Sequence, residues 1–144
     1  GTVNWDYLIG LIDFPVPFSL NTNPDAVYFN CLVYGTTSAN PSIVLFQFKE
    51  DENSDGTFSA SNEDEYDYQV TVDWEGWKLV SIPYSKFKPS SDLTTGGNGN
   101  RTKEPWKVTG MAVSLLSYPT PGLNVSADID YVVISEGGPF VPKY

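Results

Sequence analysis

The chain has 144 residues and a formal net charge of −10, from 18 acidic and 8 basic side chains, and it contains no histidine. This length predicts one domain that is large enough to bury a hydrophobic core. The acidic composition argues against nucleic acid and anionic membranes as partners, because both bind basic surfaces. The lack of histidine excludes Ser-His and Cys-His nucleophile pairs and the usual zinc sites.

Short apolar runs separated by turn residues predict strands along the whole chain and no helix. The predicted strands cover residues 26–34, 42–49, 66–72, 77–82, 106–117 and 125–135, after a short one within residues 2–20. No run approaches the ~18 apolar residues of a membrane span, and Cys31, within an apolar run, is predicted to be a buried thiol. This pattern predicts an all-β fold, an antiparallel β-sandwich of jelly-roll type.

Two long segments rich in turn residues interrupt the strands. Residues 50–65 are acidic, and Asp51 to Gly56 matches the start of a calcium loop, D-x-[DN]-x-[DN]-G. Asn62 stands where that loop requires a bidentate glutamate, so a solvated acidic loop is the favoured interpretation. Residues 88–105 are rich in Gly, Ser, Thr and Asn and are predicted to form a mobile surface loop.

Residues 66–87 are predicted to form an antiparallel hairpin around which the sandwich is organised. The first run alternates between polar and apolar side chains, the apolar ones being Tyr66, Tyr68, Val70 and Val72. Residues 73–76 supply the turn, and the second run begins at Trp77 and ends at Pro83. Trp77, together with Val80, Ile82 and Phe87, is predicted to close one end of the core. A fully buried Trp77 would then make Trp77→Ala cost ~3–5 kcal/mol.

Three stretches carry a resemblance to a known family: Tyr-Gln-Val at 68–70, WKLVSIPYSKF at 77–87 and ADIDYVVIS at 127–135. With them the chain resembles the jelly-roll carbohydrate-binding modules of the galactose-binding-like superfamily, especially the family 11 module and the related CIA30-like domains. In that family a tryptophan opens a strand that ends in an Ile-Pro-Phe or Ile-Pro-Tyr step. The final strand carries an Ile-Asp-Asp-Ile-like step, here residues 129–132.

The resemblance implies non-catalytic binding of a poly- or oligosaccharide. It also implies a bacterial surface protein of glycan utilisation, and therefore an extracytoplasmic location at the cell surface or in the periplasm. Residues 1–144 would form a single domain, the C-terminal one of a longer chain whose other domains are partners of this one. Neither nucleic-acid binding nor membrane insertion by this domain is expected.

Sugar rings stack their C–H faces on aromatic side chains, while their hydroxyl groups bond to amide, carboxylate or guanidinium groups. The aromatic residues at strand and loop edges, and two polar residues of the 88–105 segment, are the candidates. The predicted ligand-binding set is Trp5, Trp106, Tyr118, Trp74, Asn98 and Arg101.

Two alternatives stay open beside glycan binding. The first is a structural or interaction domain of a cell-surface or periplasmic protein with no sugar site, in which these aromatics only cap the sandwich edges. The second is a small glycosidase, which needs two facing carboxylates. Because nothing marks any pair among the 18 acidic residues, an enzyme is not predicted.

A structural calcium ion is the one cofactor that the resemblance implies. Jelly-roll carbohydrate modules commonly hold calcium between the N-terminal strand and the last strand. Asp130, with Asp6 or Asp13, would then supply the oxygen ligands.

Overall fold

In the computed structural model, residues 6–13, 16–36, 42–90, 98–116 and 125–143 are described, with the backbone alone for residues 6–9. The strands are β1 (Asp6–Asp13), β2 (Val27–Thr36), β3 (Ser42–Glu50), β4 (Glu65–Val72), β5 (Glu75–Pro83), β6 (Lys88–Pro89), β7 (Val108–Leu116) and β8 (Asp128–Glu136). Short 3-10 turns lie at Pro24–Ala26, Tyr84–Lys86 and Pro105–Lys107. None of the described helices is long and apolar enough to cross a membrane.

The strands form two antiparallel sheets that pack face to face. The five-stranded sheet has the order β1-β7-β3-β4-β6 and the three-stranded sheet the order β5-β2-β8. β3 is the middle strand of the larger sheet and β2 of the smaller, as their apolar sequences require. The predicted all-β sandwich is therefore confirmed.

The core lies between the two sheets and is built largely from aromatic rings. Phe29 of β2 contacts Phe46 of β3, with ring centroids 4.7 Å apart, and Phe48 contacts Phe87 at 5.1 Å. Cys31 points into this core and is completely buried, which confirms the prediction and raises the pKa of its thiol to about 12. Cys31 is thus an inert part of the packing.

The predicted hairpin of residues 66–87 is wrong in its pairing. β4 pairs with β3 and β6, whereas β5 pairs with β2 in the other sheet. The turn at residues 73–74 therefore carries the chain across the sandwich from one sheet to the other. A period of two shows that each run has one apolar face, but both strands of a hairpin and two strands in facing sheets satisfy that pattern equally.

The predicted burial of Trp77 is also wrong. Ile82, five residues farther along the same strand, faces the core. Residues an odd number of positions apart in a strand point to opposite faces. Trp77 therefore lies on the outer face of the three-stranded sheet, where its side chain is 53% exposed. Phe87, by contrast, is buried in the core as predicted.

Candidate functional site

The outer face of the three-stranded sheet carries an exposed tryptophan beside carboxylates. The strand register places Trp77, Tyr34 and Asp128 side by side across β5, β2 and β8, and Leu79, Leu32 and Asp130 in the next row. Directly opposed residues in antiparallel strands have Cβ atoms about 4.5–5.5 Å apart. We call this surface the Trp77 face, defined by Trp77, Tyr34, Leu79, Leu32, Asp128 and Asp130.

The ring of Tyr34 fixes the orientation of the Trp77 indole. The two ring centroids are 5.3 Å apart and the planes meet at 66°, an edge-to-face contact. The rings are not coplanar, so they do not form a continuous flat platform. Trp77 instead offers a single indole to solvent, with Tyr34 as its lateral support.

The two aspartates of the Trp77 face are exposed to solvent. Asp130 accepts a hydrogen bond from the backbone N–H of Tyr131 at 2.7 Å, which holds one oxygen of its carboxylate. Tyr131 itself has a positive φ of 58°, at a point where the β2–β8 register shifts. The irregularity in β8 thus sets the position of Asp130 at the edge of the face.

The same sheet face is covered farther along β2, so that the open part is limited to the Trp77 end. There Asn30 is completely buried, and its Oδ1 accepts hydrogen bonds from Ser81 at 2.8 Å and from the backbone N–H of Phe140 at 3.0 Å. Phe140 also packs on Tyr131, with ring centroids 5.5 Å apart. The segment after β8 therefore closes one half of the face and leaves the other half to solvent.

Trp74 does not belong to this face. Its indole Nε1 donates to the carbonyl oxygen of Val33 at 3.2 Å, and the Nζ of Lys78 lies 4.6 Å from its ring. These contacts occupy both the polar edge and one face of the indole. Trp74 instead lines a cleft of about 350 Å³ between the edges of β4 and β5, together with Tyr68 and Ser81.

The other predicted ligand residues are not brought together. Trp106, half-buried in the Pro105–Lys107 turn, lies near the Glu50 end of β3, whereas Trp74 lies near its Ser42 end. The nine residues of β3 separate these ends by about 25 Å. Trp5 and Tyr118 fall outside the described residues.

Asn98 and Arg101 lie near the Glu50 end as well, in a segment that is anchored to the sandwich. The Nδ2 of Asn98 donates to the carbonyl oxygen of Ala60 at 3.2 Å, and the backbone N–H of Arg101 donates to Asp64 at 2.5 Å. The described residues 98–105 are therefore held against the sandwich by hydrogen bonds, and their mobility stays a prediction. Asn98 and Arg101 as ligand contacts stay a prediction.

The prediction of a solvated acidic loop at residues 50–65 holds only for its middle, since residues 53–57 and 60–62 are exposed whereas acidic side chains at both ends are buried. Asp51 is buried, and its two oxygens accept hydrogen bonds from the backbone N–H groups of Asp55 at 3.2 Å and Gly56 at 2.8 Å. Glu63 is buried too, and accepts from the N–H of Ser59 at 2.6 Å. Asp51 and Glu63 fold inward because the tight turns of this segment present N–H groups that an acceptor must satisfy.

The predicted calcium ligands are spread over both sheets. Asp13 lies in β1 opposite Gly110, whereas Asp130 lies in β8 opposite Leu32. The side chain of Asp6 is outside the description. Over the described ranges no three acidic, histidine or cysteine side chains are grouped so that they could hold a metal ion. The calcium site stays a prediction.

A second polar cleft lies on the five-stranded sheet and was not predicted. It has a volume of about 280 Å³ and is lined by Asp13, Lys49, Phe58 and Thr109, among others. The Nζ of Lys49 lies 5.3 Å from the centre of the Phe58 ring. Because an ammonium group already occupies that ring, the indole of Trp77 is the better candidate for stacking.

The fold defined by these sheets, a β-sandwich of jelly-roll type, is also found in solved structures. Two of them are a family 11 carbohydrate-binding module from Clostridium thermocellum in complex with a β-1,3-1,4-mixed-linked tetrasaccharide, and the family 11 module of the cellulosomal cellulase Lic26A-Cel5E of that organism. Each aligns with a TM-score of 0.59 at 15% sequence identity, over 88% and 89% of this chain.

The alignment confirms, at the level of the fold, the resemblance that the sequence shows to these modules. The chain spans 66% and 65% of the two matched chains, slightly less than two thirds of their length. No protein-family model and no curated protein matches the sequence.

Proposed function

We propose that this domain binds a neutral glycan without catalysis and that the Trp77 face is its binding surface. The observation that carries this proposal is the 53% exposure of the Trp77 indole on a sheet face. An indole in water exposes apolar surface whose burial is favourable. The C–H face of a sugar ring would cover it, at a position where the edge-to-face contact with Tyr34 already fixes the indole.

The carboxylates beside the indole suit the hydroxyl groups of a sugar. Asp128 and Asp130 are acceptors that would take hydrogen bonds from hydroxyl donors of the stacked ring. The same charges, on a chain with a net charge of −10, would repel glycans that carry uronate or sulfate groups. Neutral glycans are therefore the favoured class.

Two further observations support a binding role rather than an enzymatic one. The structurally similar family 11 module is in complex with a mixed-linked tetrasaccharide, and it shares the fold of this chain. The Trp77 face is an open sheet surface, whereas glycoside hydrolysis requires two carboxyl groups on either side of a bound glycosidic bond. Mixed-linked β-glucan is accordingly the first ligand to test.

The experiment is affinity electrophoresis of the protein through gels that contain neutral soluble polysaccharides, with Trp77→Ala and Trp106→Ala as a matched pair. We expect retardation of the unmodified protein and of Trp106→Ala. Loss of one stacked aromatic, at about 1.5–3 kcal/mol, would weaken binding by Trp77→Ala at least tenfold. Equal retardation of Trp77→Ala and the unmodified protein would refute the Trp77 face as the site.

A structural or interaction domain without a sugar site is the second candidate. Exposed apolar side chains at Tyr131, Val132 and Val141 favour it, because they too could pack against a protein partner. Lack of retardation on every neutral polysaccharide would select this candidate.

The extracytoplasmic location, the role in bacterial glycan utilisation and the presence of further domains in the same chain are proposals that rest on the resemblance alone. The structural calcium ion is a proposal of the same kind. A rise in Tm on addition of calcium that Asp130→Asn abolishes would support it.

A further inference from the structure

The segment that precedes β7 is fastened to the sandwich by carboxylates acting on its backbone. Asp64 accepts hydrogen bonds from the N–H groups of Gly99 at 2.9 Å and Arg101 at 2.5 Å. Glu52 accepts from the N–H of Asn100 at 3.1 Å. Glu50 accepts from the backbone N–H of Glu104 in the same segment. We call Glu50, Glu52 and Asp64 the carboxylate clamp.

Glu50 and Asp64 are the two completely buried members of the clamp. Glu50 is the last residue of β3 and is 0% exposed. Its Oε1 accepts hydrogen bonds from the hydroxyl group of Tyr84 at 2.6 Å and from the backbone N–H of Glu104 at 2.8 Å. Its Oε2 is buried as well and has no hydrogen-bond partner in the part of the chain that the structure describes.

Carboxylates predominate among the charged groups that face Glu50, and they disfavour its ionised form. The carboxylates of Asp64 and Glu104 raise its pKa. The Nζ of Lys107 is bound to Glu104 at 3.0 Å. Lys103 lies over the ring of Tyr66, 5.1 Å from its centre. Burial lowers the pKa of its ammonium group, while the charge of Glu50 acts in the opposite direction, so Lys103 is a cation that favours ionised Glu50.

Burial is the dominant cause of the shift in Glu50. It raises the pKa of the carboxyl group to about 8, although the hydrogen bonds from Tyr84 and Glu104 act in the opposite direction. The hydroxyl groups of Tyr84 and Tyr66 also face this site, and burial raises the pKa of both, so they stay neutral donors. The pKa of Glu52 is raised as well, chiefly by desolvation.

We propose that Glu50 is a proton-controlled latch, whose neutral carboxyl group holds residues 98–107 closed on the end of the sandwich and whose ionisation releases them. An ionised Glu50 would leave one charged oxygen buried without a partner, among other carboxylates. Opening of the segment would expose that charge to water, where the carboxylate is stable. The latch lies at the Glu50 end of β3, about 25 Å from the Ser42 end, near which the Trp77 face lies, and it does not depend on the proposed glycan site.

The direction of the pH effect follows from the two pKa values. The pKa of Glu50 is about 8 in the closed state and would return to its ordinary value of 4.5 in an open state. Below about pH 4.5 both states are protonated, so the latch is fully closed. Between about pH 4.5 and 8 the opening equilibrium rises by up to about tenfold per pH unit, and above about pH 8 it levels off.

The test is native-state hydrogen exchange, followed by NMR, between about pH 5 and 8. We expect the protection factors of the Gly99, Arg101 and Glu104 amides to fall steadily across this range. Glu50→Gln keeps an oxygen acceptor but cannot ionise, so its protection factors should stay constant. As the matched control, Glu65→Gln changes another half-buried carboxyl group whose pKa is raised, and it should keep the full pH dependence.

Three results would overturn the latch. The first is equal protection at both ends of the pH range in the unmodified protein, and the second is an unchanged pH dependence in Glu50→Gln. The third is removal of the pH dependence by added calcium, relative to EDTA, which would make the clamp a cation site. If Glu50→Gln does not fold, the ¹³C-detected titration of Glu50 in the unmodified protein decides. A midpoint near its ordinary value of 4.5, rather than about 8, refutes the proposal.

Discussion

Trp77→Ala and Phe87→Ala should differ sharply in their effect on stability, although the same sequence stretch contains both residues. Removal of a fully buried aromatic side chain costs ~3–5 kcal/mol. Phe87 is buried and contacts three rings, so Phe87→Ala should cost an amount in that range. Its ring partners are Phe48 of β3, Tyr68 of β4 and Tyr84. These contacts join the turn that follows β5 to the five-stranded sheet.

Trp77 is about half exposed, so only about half of its apolar surface is buried in the folded protein. Truncation therefore removes the stabilisation from that half alone. Scaling the cost of full burial by that half gives ~1.5–2.5 kcal/mol for Trp77→Ala. This value includes the edge-to-face contact with Tyr34, which contributes ~0.5–1.5 kcal/mol.

Urea unfolding of both variants, followed by far-UV circular dichroism, measures this difference. We expect the midpoint of Phe87→Ala to fall about twice as far as that of Trp77→Ala, with similar m-values. Equal losses of stability would refute the outward orientation of Trp77. Equal losses would indicate that Trp77 is buried in the core, and the proposed binding surface would then have no exposed indole.

Three further substitutions, and Gly10→Ala as a control for one of them, test other parts of the structure. The Tm of the unmodified protein should fall as pH rises from about 4.5 to 8, because the raised pKa of Glu50 makes its ionisation unfavourable in the folded state. Glu50→Gln should remove this fall when Tm is measured at several pH values. Asp51→Ala should cost ~1–3 kcal/mol in urea unfolding, since the backbone N–H of Gly56 loses its acceptor while that of Asp55 keeps the Oδ1 of Asn53; no loss would mean that water replaces the carboxylate. Gly35→Ala should destabilise strongly, because a Cβ atom would lie 2.0 Å from the carbonyl oxygen of Trp74, while Gly10→Ala, with open space around it, should be neutral.

The positions of the strands could be predicted because they depend on local patterns. The runs at 42–49 and 66–72 differ by one residue from β3 and β4, since each carries an apolar face bounded by turn residues. The pairing of strands depends on contacts between distant segments. β4 and β5 are neighbours in sequence but lie in different sheets, and no local pattern distinguishes that arrangement from a hairpin.

The sequence does not predict the candidate site, because Trp77, a bulky apolar residue in an apolar run, is assigned to the core. A signal was available: Trp77 and Ile82 are five residues apart in one strand, so they cannot both point inward. Tyr34 and Asp128 could not be joined to Trp77, because their proximity arises only from the register of three strands.

The acidic segment shows a different limit of sequence patterns. Glu50, Asp51 and Asp64 read as a solvated charge run, yet all three are buried. Their carboxylate oxygens accept hydrogen bonds from backbone N–H groups of residues 55–56 and 99–104. Most of these donors lie far away in the sequence. Composition cannot show such a match, whereas the folded chain requires it.

The central claim is that Trp77 contacts the glycan, and tryptophan fluorescence during titration with a neutral soluble glycan tests it most directly. Coverage of the exposed indole by a sugar ring should shift the emission to shorter wavelength in the unmodified protein and in Trp106→Ala. Trp77→Ala should show no shift. A saturable shift of equal size in Trp77→Ala would contradict the account, because the glycan would then bind at another surface.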